Sequence, residues 1–203
     1  MAERLSALDR PNEVPEDPLM KNEILLPSDI LKFWFIEINP KDQFSGSEKI
    51  DALIRERFSE IHAVAKKCEL SKWRMTPEGR LAEIIILDQF SRNLFRDDPK
   101  SFAQDPQALS LAQEAIALHA HEKLSQFQRN FMFMPYMHSE SQKIHQTAEK
   151  LFSEKGLENS RTFEIRHKAI IDRFGRFPHR NKILGRQSTL EEVEFLKQPG
   201  SSF

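Results

Sequence analysis

The segment Arg173-Phe-Gly-Arg-Phe-Pro-His-Arg-Asn-Lys-Ile-Leu-Gly-Arg186 places four arginines, a lysine and a histidine among apolar residues, with no acid inside it. Guanidinium forks match carboxylate or phosphate oxygens in bidentate geometry. Phe174, Phe177, Ile183 and Leu184 favour burial, so this is not an ordinary linker. Gly175 is expected to end a helix, and Pro178 to hold Phe177 extended. Arg176, His179 and Arg180 would then leave one rigid turn in different directions. Two chemistries are open: anion binding, or arginines paired with Asp88, Glu140 or Asp172 that lock the turn onto the rest of the chain.

A second candidate is Asp88-Gln-Phe-Ser-Arg-Asn93. Asp88 falls seven residues after Leu81 and near the same helical face, where a carboxylate needs a partner. Arg92 is one turn away. The pair reads either as an ion pair that fixes helix docking or as a carboxylate orienting a ligand-binding arginine. A third is His138-Ser-Glu140. Ser139 reads as a helix cap, and His138 as a cap neighbour or a proton donor held by Glu140 or another carboxylate. His167, on an apolar stripe, reads as a core histidine or a base.

Other chemistries lack their signatures. No HExxH or comparable metal spacing occurs, and His119 and His121, two apart on an expected helix, should point to different sides. No phosphate-binding G-x-x-x-x-G-K-[ST] loop and no G-x-S-x-G turn is present. Cys68 is the only cysteine, which excludes an intrachain disulfide and reads as a partly buried thiol in a helix. No metal and no cofactor is expected. A formal net charge of −1 over 203 residues confines any electrostatic function to a local patch, which disfavours nucleic acid. No apolar run is long enough to span a bilayer and no secretory leader is visible, so a cytoplasmic protein is expected.

The elements that must position these residues are helices. Residues 1–22, with Pro11, Pro15 and Pro18, read as a flexible leader, 23–198 as one helical domain and 199–203 as a frayed tail. Ser28 should start a helix holding Phe33, Trp34 and Phe35. Ser47 should open an amphipathic helix with Ile50, Leu53, Ile54, Phe58, Ile61 and Val64 on one face. Thr76-Pro-Glu78 should cap a nearly all-apolar helix from Leu81 to about Asn93, with a strand over Ile84–Leu87 as the rival. Further helices are expected after Asp105-Pro106, from Ser125 to Pro135, from a Ser139–Gln142 capping box to about Lys155 with Gly156 as cap, and from Ser160 to Gly175 with Phe163, Ile170, Ile171 and Phe174 inward. A last one should follow a Ser188–Glu191 box. The total is about eight helices and no strand, all-α, with antiparallel pairs stacked side by side.

The combination of Phe33-Trp-Phe35, Leu87-Asp-Gln-Phe-Ser-Arg-Asn93, Pro135, His138-Ser-Glu140, His167, Arg173–Asn181, Leu184-Gly-Arg186 and the Ser188–Glu192 cap resembles the domain-of-unknown-function family DUF924. The match runs from about Leu31 to Leu196 in order. Ser91 stands where the family usually has proline. The resemblance implies a right-handed, tetratricopeptide-like helical array and carries no activity. It also implies that Asp88, Gln89, Arg92, Asn93, His138, Glu140, His167, Arg173, Arg176, His179, Arg180 and Asn181 belong together.

Three functions follow as expectations. The first is a helical binding module that takes an anionic small molecule or an acidic peptide carboxylate through Arg92, Arg176, Arg180, Asn93 and Asn181. The second is a hydrolase or transferase using His138 or His179 as general acid or base. The third is a purely structural lock.

Overall fold

The computed structural model describes residues 25–202; the expected leader, 1–22, lies outside them. These residues are helical and contain no strand. The α-helices are α1 (Pro27–Lys32), α2 (Glu48–Ala65), α3 (Pro77–Ile85), α4 (Ser91–Leu94), α5 (Asp105–Ala117), α6 (Gln126–Met137), α7 (Gln142–Leu151), α8 (Glu158–Phe174) and α9 (Leu190–Leu196). A π turn, Phe33–Glu37, prolongs α1, and a π segment, Ile86–Phe90, joins α3 to α4 in one continuous rod. Counted as rods, the described residues form the eight expected helices, and the strand alternative over Ile84–Leu87 falls away.

The α3–α4 rod is central because its sequence leaves it no wet face. Leu81 through Ser91 are all buried, and such a helix must be surrounded by others. Thr76 Oγ1 accepts from the Gly79 amide and Pro77 sits in the first turn, as its φ allows. The rod meets α1, α2, α5 and α6, and from α5 to α8 each helix packs on the next. Phe90 locks this centre. Its ring lies 5.1 Å from that of Phe58, 5.7 Å from that of Trp34 and 6.0 Å from that of Phe33. A smaller apolar cluster of Ile170, Ile171 and Phe177, flanked by Phe174 and Phe195, seats the basic turn.

Several local expectations need correction. Pro135 lies inside α6 instead of ending it; in the last turn it forfeits a single backbone bond, and two more residues stay helical. α7 starts after Ser141, not Ser139, because residues 138–140 are engaged elsewhere, and it ends at Leu151, short of Lys155. α8 starts at Glu158, and Phe163 is exposed while Glu164 faces inward, where it finds a histidine partner. α9 is capped one residue later than expected, by the Thr189–Glu192 box. Cys68 is exposed and sits at φ 62° beyond the end of α2, not in a helix.

Candidate functional site

The turn after α6, residues 138–140, is held at three successive residues by three different parts of the chain. His138 Nδ1 lies 2.7 Å from Asp88 Oδ1 on the π segment. The Ser139 carbonyl is 2.8 Å from Nε2 of His145, whose Nδ1 is 2.7 Å from Glu164 Oε1. Glu140 accepts the Phe177 amide at 2.8 Å and both arms of Arg186 at 2.6 and 2.9 Å. A helix end would leave this backbone loose; here it is pinned by chemistry from positions far apart in sequence.

Asp88 is almost fully buried, yet its carboxylate is satisfied. Besides His138 it meets Arg92 at 3.0 Å, the predicted one-turn neighbour, and the Gln89 amide. Burial pushes its carboxyl up, but Arg92, His138 and Gln89 together hold it well below the ordinary carboxylate range. Asp88 is therefore an acceptor only, so His138 carries its proton on Nδ1 and leaves Nε2 with a lone pair. Burial, then the Arg92 cation, lower the His138 pKa against the opposing pull of Asp88 and Asp105, so the ring is neutral at pH 7.

Arg92 also forks onto Asp105 at 2.9 and 3.1 Å, and Arg180 reaches the same carboxylate at 3.1 Å. Arg180 is 6% exposed. Its guanidinium lies between the Phe102 and Phe177 rings, 4.5 and 4.7 Å from their centroids, a stacked geometry suited to a planar cation. One arm donates to the His138 carbonyl at 3.1 Å, while the buried Nε–H meets no acceptor among the described residues. Burial lowers its pKa to about 10, which leaves it charged.

These groups border a cleft of about 400 Å³. Pro99, Phe102, Ala103, Pro106, Leu109, Pro135 and Leu184 supply apolar wall, and Asp105, His138, Ser139, Glu140 and Arg180 supply the polar end. A shallower groove of about 520 Å³ between α7 and α8 is lined by Gln146, Glu149, Lys150, Ser153 and Arg161. It lies away from this cluster.

The family grouping is thus divided in space. His138, Glu140 and Arg180 border the cleft, and Asp88, Gln89 and Arg92 stand behind them. Arg176 forks onto Glu192 at 2.7 and 2.8 Å, and Arg173 meets Glu191 at 2.8 Å, so both tie the basic turn to α9. Asn181 donates to Ser188 and accepts from Arg186. The His167 and His179 rings each pack 5.6 Å from that of Phe177, and burial lowers their pKa values to about 3 and about 4. Asn93 does not join the cleft; it donates to Asp51, which Arg96 also grips. Ser91, at the proline position of the family, bonds the Leu87 carbonyl and lies 2.8 Å from His62 Nε2.

Two contributors escaped the sequence reading. Asp105 is the first residue of α5, behind the cap residue Gln104, and its carboxylate serves two arginines. Arg186 belonged to the basic segment, though nothing in its spacing marked it as the partner of Glu140. Among the described residues no group of three or more His, Cys, Asp or Glu is placed to hold a metal ion. His119 and His121 do not diverge as expected: their rings stack 6.3 Å apart, because His119 takes a left-handed backbone and breaks the helix. No described helix is long and apolar enough to cross a membrane.

Comparison with known proteins is consistent with this architecture. Residues 30–200 match the family model described as bacterial protein of unknown function, DUF924. A solved protein of unknown function, ATU0120 from Agrobacterium tumefaciens, is 36% identical with a TM-score of 0.81, over 84% of this chain and 96% of that one. No functionally curated protein matches.

Proposed function

The chain belongs to the DUF924 family of bacterial proteins of unknown function, and from that premise we propose that it is a binding module for a small carboxylate-bearing molecule. Residues 23–198 are taken as the unit that carries this role. The guest's apolar body would lie against Phe102, Leu109 and Leu184, and its carboxylate would meet Arg180 and His138. An acidic peptide end offers the same chemistry on a longer body.

One observation supports this reading above the others. Arg180 is buried at the polar end of an apolar-walled cleft with one N–H still unmatched, and buried donors in proteins are nearly always matched. The other arginines of the basic segment are already forked onto carboxylates, so the lock and the site divide the labour: Arg173, Arg176 and Arg186 hold, and Arg180 receives. The test is a thermal-shift and calorimetric screen of small aromatic and aliphatic carboxylates, acidic peptides and phosphorylated metabolites. A carboxylate that raises the melting temperature of the native chain but not of a folded Arg180→Ala variant is the expected outcome. A full screen without an Arg180-dependent ligand ends the reading.

A further inference from the structure

The charges around the cleft balance when it is empty. Asp88, Asp105 and Glu140 contribute −3, and Arg92, Arg180 and Arg186 contribute +3, each bound to at least one member of the opposite set. The sum is 0, with His138 neutral in their midst. A guest carboxylate entering a partly dry, apolar-walled cleft therefore finds guanidiniums whose charge is already matched. An unmatched buried anion is strongly disfavoured.

We propose that the cleft takes up its carboxylate guest together with one proton, which His138 accepts on Nε2. This rests on the binding role proposed above. The step forms one N–H bond, and the proton comes from water or buffer. It turns the local sum from 0 to +1 before the guest brings −1. It also converts a lone pair into a charged donor for the carboxylate, with Asp88 already holding Nδ1 at 2.7 Å to stabilise the imidazolium.

His138 is the group suited to this among those that face it. The π segment and α4 present Asp88 and Arg92, α5 presents Asp105, and the Pro178–Arg180 turn presents His179 and Arg180. Its own turn adds Glu140, and α7 and α8 add His145 and His167. The arginines are charged already. Asp88 and Glu140 are held low by their partners, and His167 and His179 sit at about 3 and about 4. His145 has both nitrogens occupied by Glu164 and the Ser139 carbonyl. His138 pairs a carboxylate-held Nδ1 with an Nε2 that has no hydrogen-bond partner among the described residues.

Linkage fixes the sign. A guest anion raises the His138 pKa from its depressed value, so a proton is taken up at any pH between the free-state and bound-state values. Affinity is greatest below the free-state pKa. It falls by up to about tenfold per pH unit between the free-state and bound-state pKa values and levels off above the latter.

Benzoate, with uncharged benzamide as its isostere, probes this in the native chain. Titration calorimetry in HEPES and in Tris reads proton uptake from the difference in heats, and is repeated from pH 6 to pH 9. The expected result is uptake of a substantial fraction of one proton per benzoate near pH 7, none with benzamide, and affinity that falls as pH rises. His138→Gln retains an amide donor toward Asp88 and should bind benzoate more weakly, without proton uptake. If that variant does not fold, the ¹⁵N shifts of the native His138 ring decide: saturation with benzoate should convert them to imidazolium values. Benzoate binding with no uptake and no imidazolium overturns the proton coupling and leaves the binding role intact. Benzoate binding that keeps its uptake in His138→Gln assigns the proton elsewhere and also overturns it. Failure of every carboxylate to bind at any pH removes both.

Discussion

At the residue scale, Asp105 and Arg180 are neighbours with unequal consequences. Asp105 separates two guanidiniums, so Asp105→Asn brings Arg92 and Arg180 together without their shared counter-charge. Breaking one side of a buried ionic group costs about 3–5 kcal/mol. Arg180→Ala is milder, about 1–3 kcal/mol, because Asp105 loses one bond but keeps both from Arg92, and the rest of the loss is stacking and one carbonyl contact. Urea unfolding of the two variants should rank them in that order. Sequence spacing revealed the Asp88–Arg92 pair because one helical turn joins them. It could not reveal Arg180 on Asp105 across 75 positions, since only the assembled fold makes those residues neighbours.

At the scale of elements, the position of α3 depends on the 3-10 turn that precedes it, Ser71–Met75. A methyl group added at Gly79 would lie 1.9 Å from the Trp73 carbonyl oxygen, a backbone atom that has no rotamer to escape into. Gly79→Ala should therefore destabilise by about 3 kcal/mol, read from a shift of the urea midpoint at unchanged slope. The same stretch shows what pattern reading captures. Thr76, Pro77 and the nearly all-apolar run point to the buried helix from first principles. The π segment that carries Asp88 and Gln89 has no such mark in the sequence. The helices expected to start at Ser139 and Ser188 begin later for a tertiary reason: His145 holds the Ser139 carbonyl and Asn181 holds the Ser188 hydroxyl.

For the molecule as a whole, buried histidines set the response to acid. Burial is the first cause of depressed pKa values of about 4 in His62, about 3 in His167 and about 4 in His179. Each folded-state value lies below the unfolded value of about 6.5, so the unfolded chain binds more protons between the two. Their contribution is complete above about pH 6.5 and is lost progressively as pH falls toward 4. The depressed carboxylates Asp51, Asp88, Glu140 and Glu192 add a further loss below their ordinary range, with Glu192 at about 2. Melting temperature should therefore begin to drop from about pH 6.5 downward, well before carboxylate titration starts. A melting temperature flat from pH 7 to pH 5 would contradict this.

The polar end of the cleft is clamped from three directions, whereas much of its apolar wall comes from side chains outside those clamps: Pro99, Ala103, Leu109 and Leu184. Recognition hardware and pocket shape are thus encoded by largely separate residues. Relatives, or an engineer, can recut the mould for a longer, flatter or bulkier guest by exchanging Leu109 or Leu184 while the receiving end keeps its alignment.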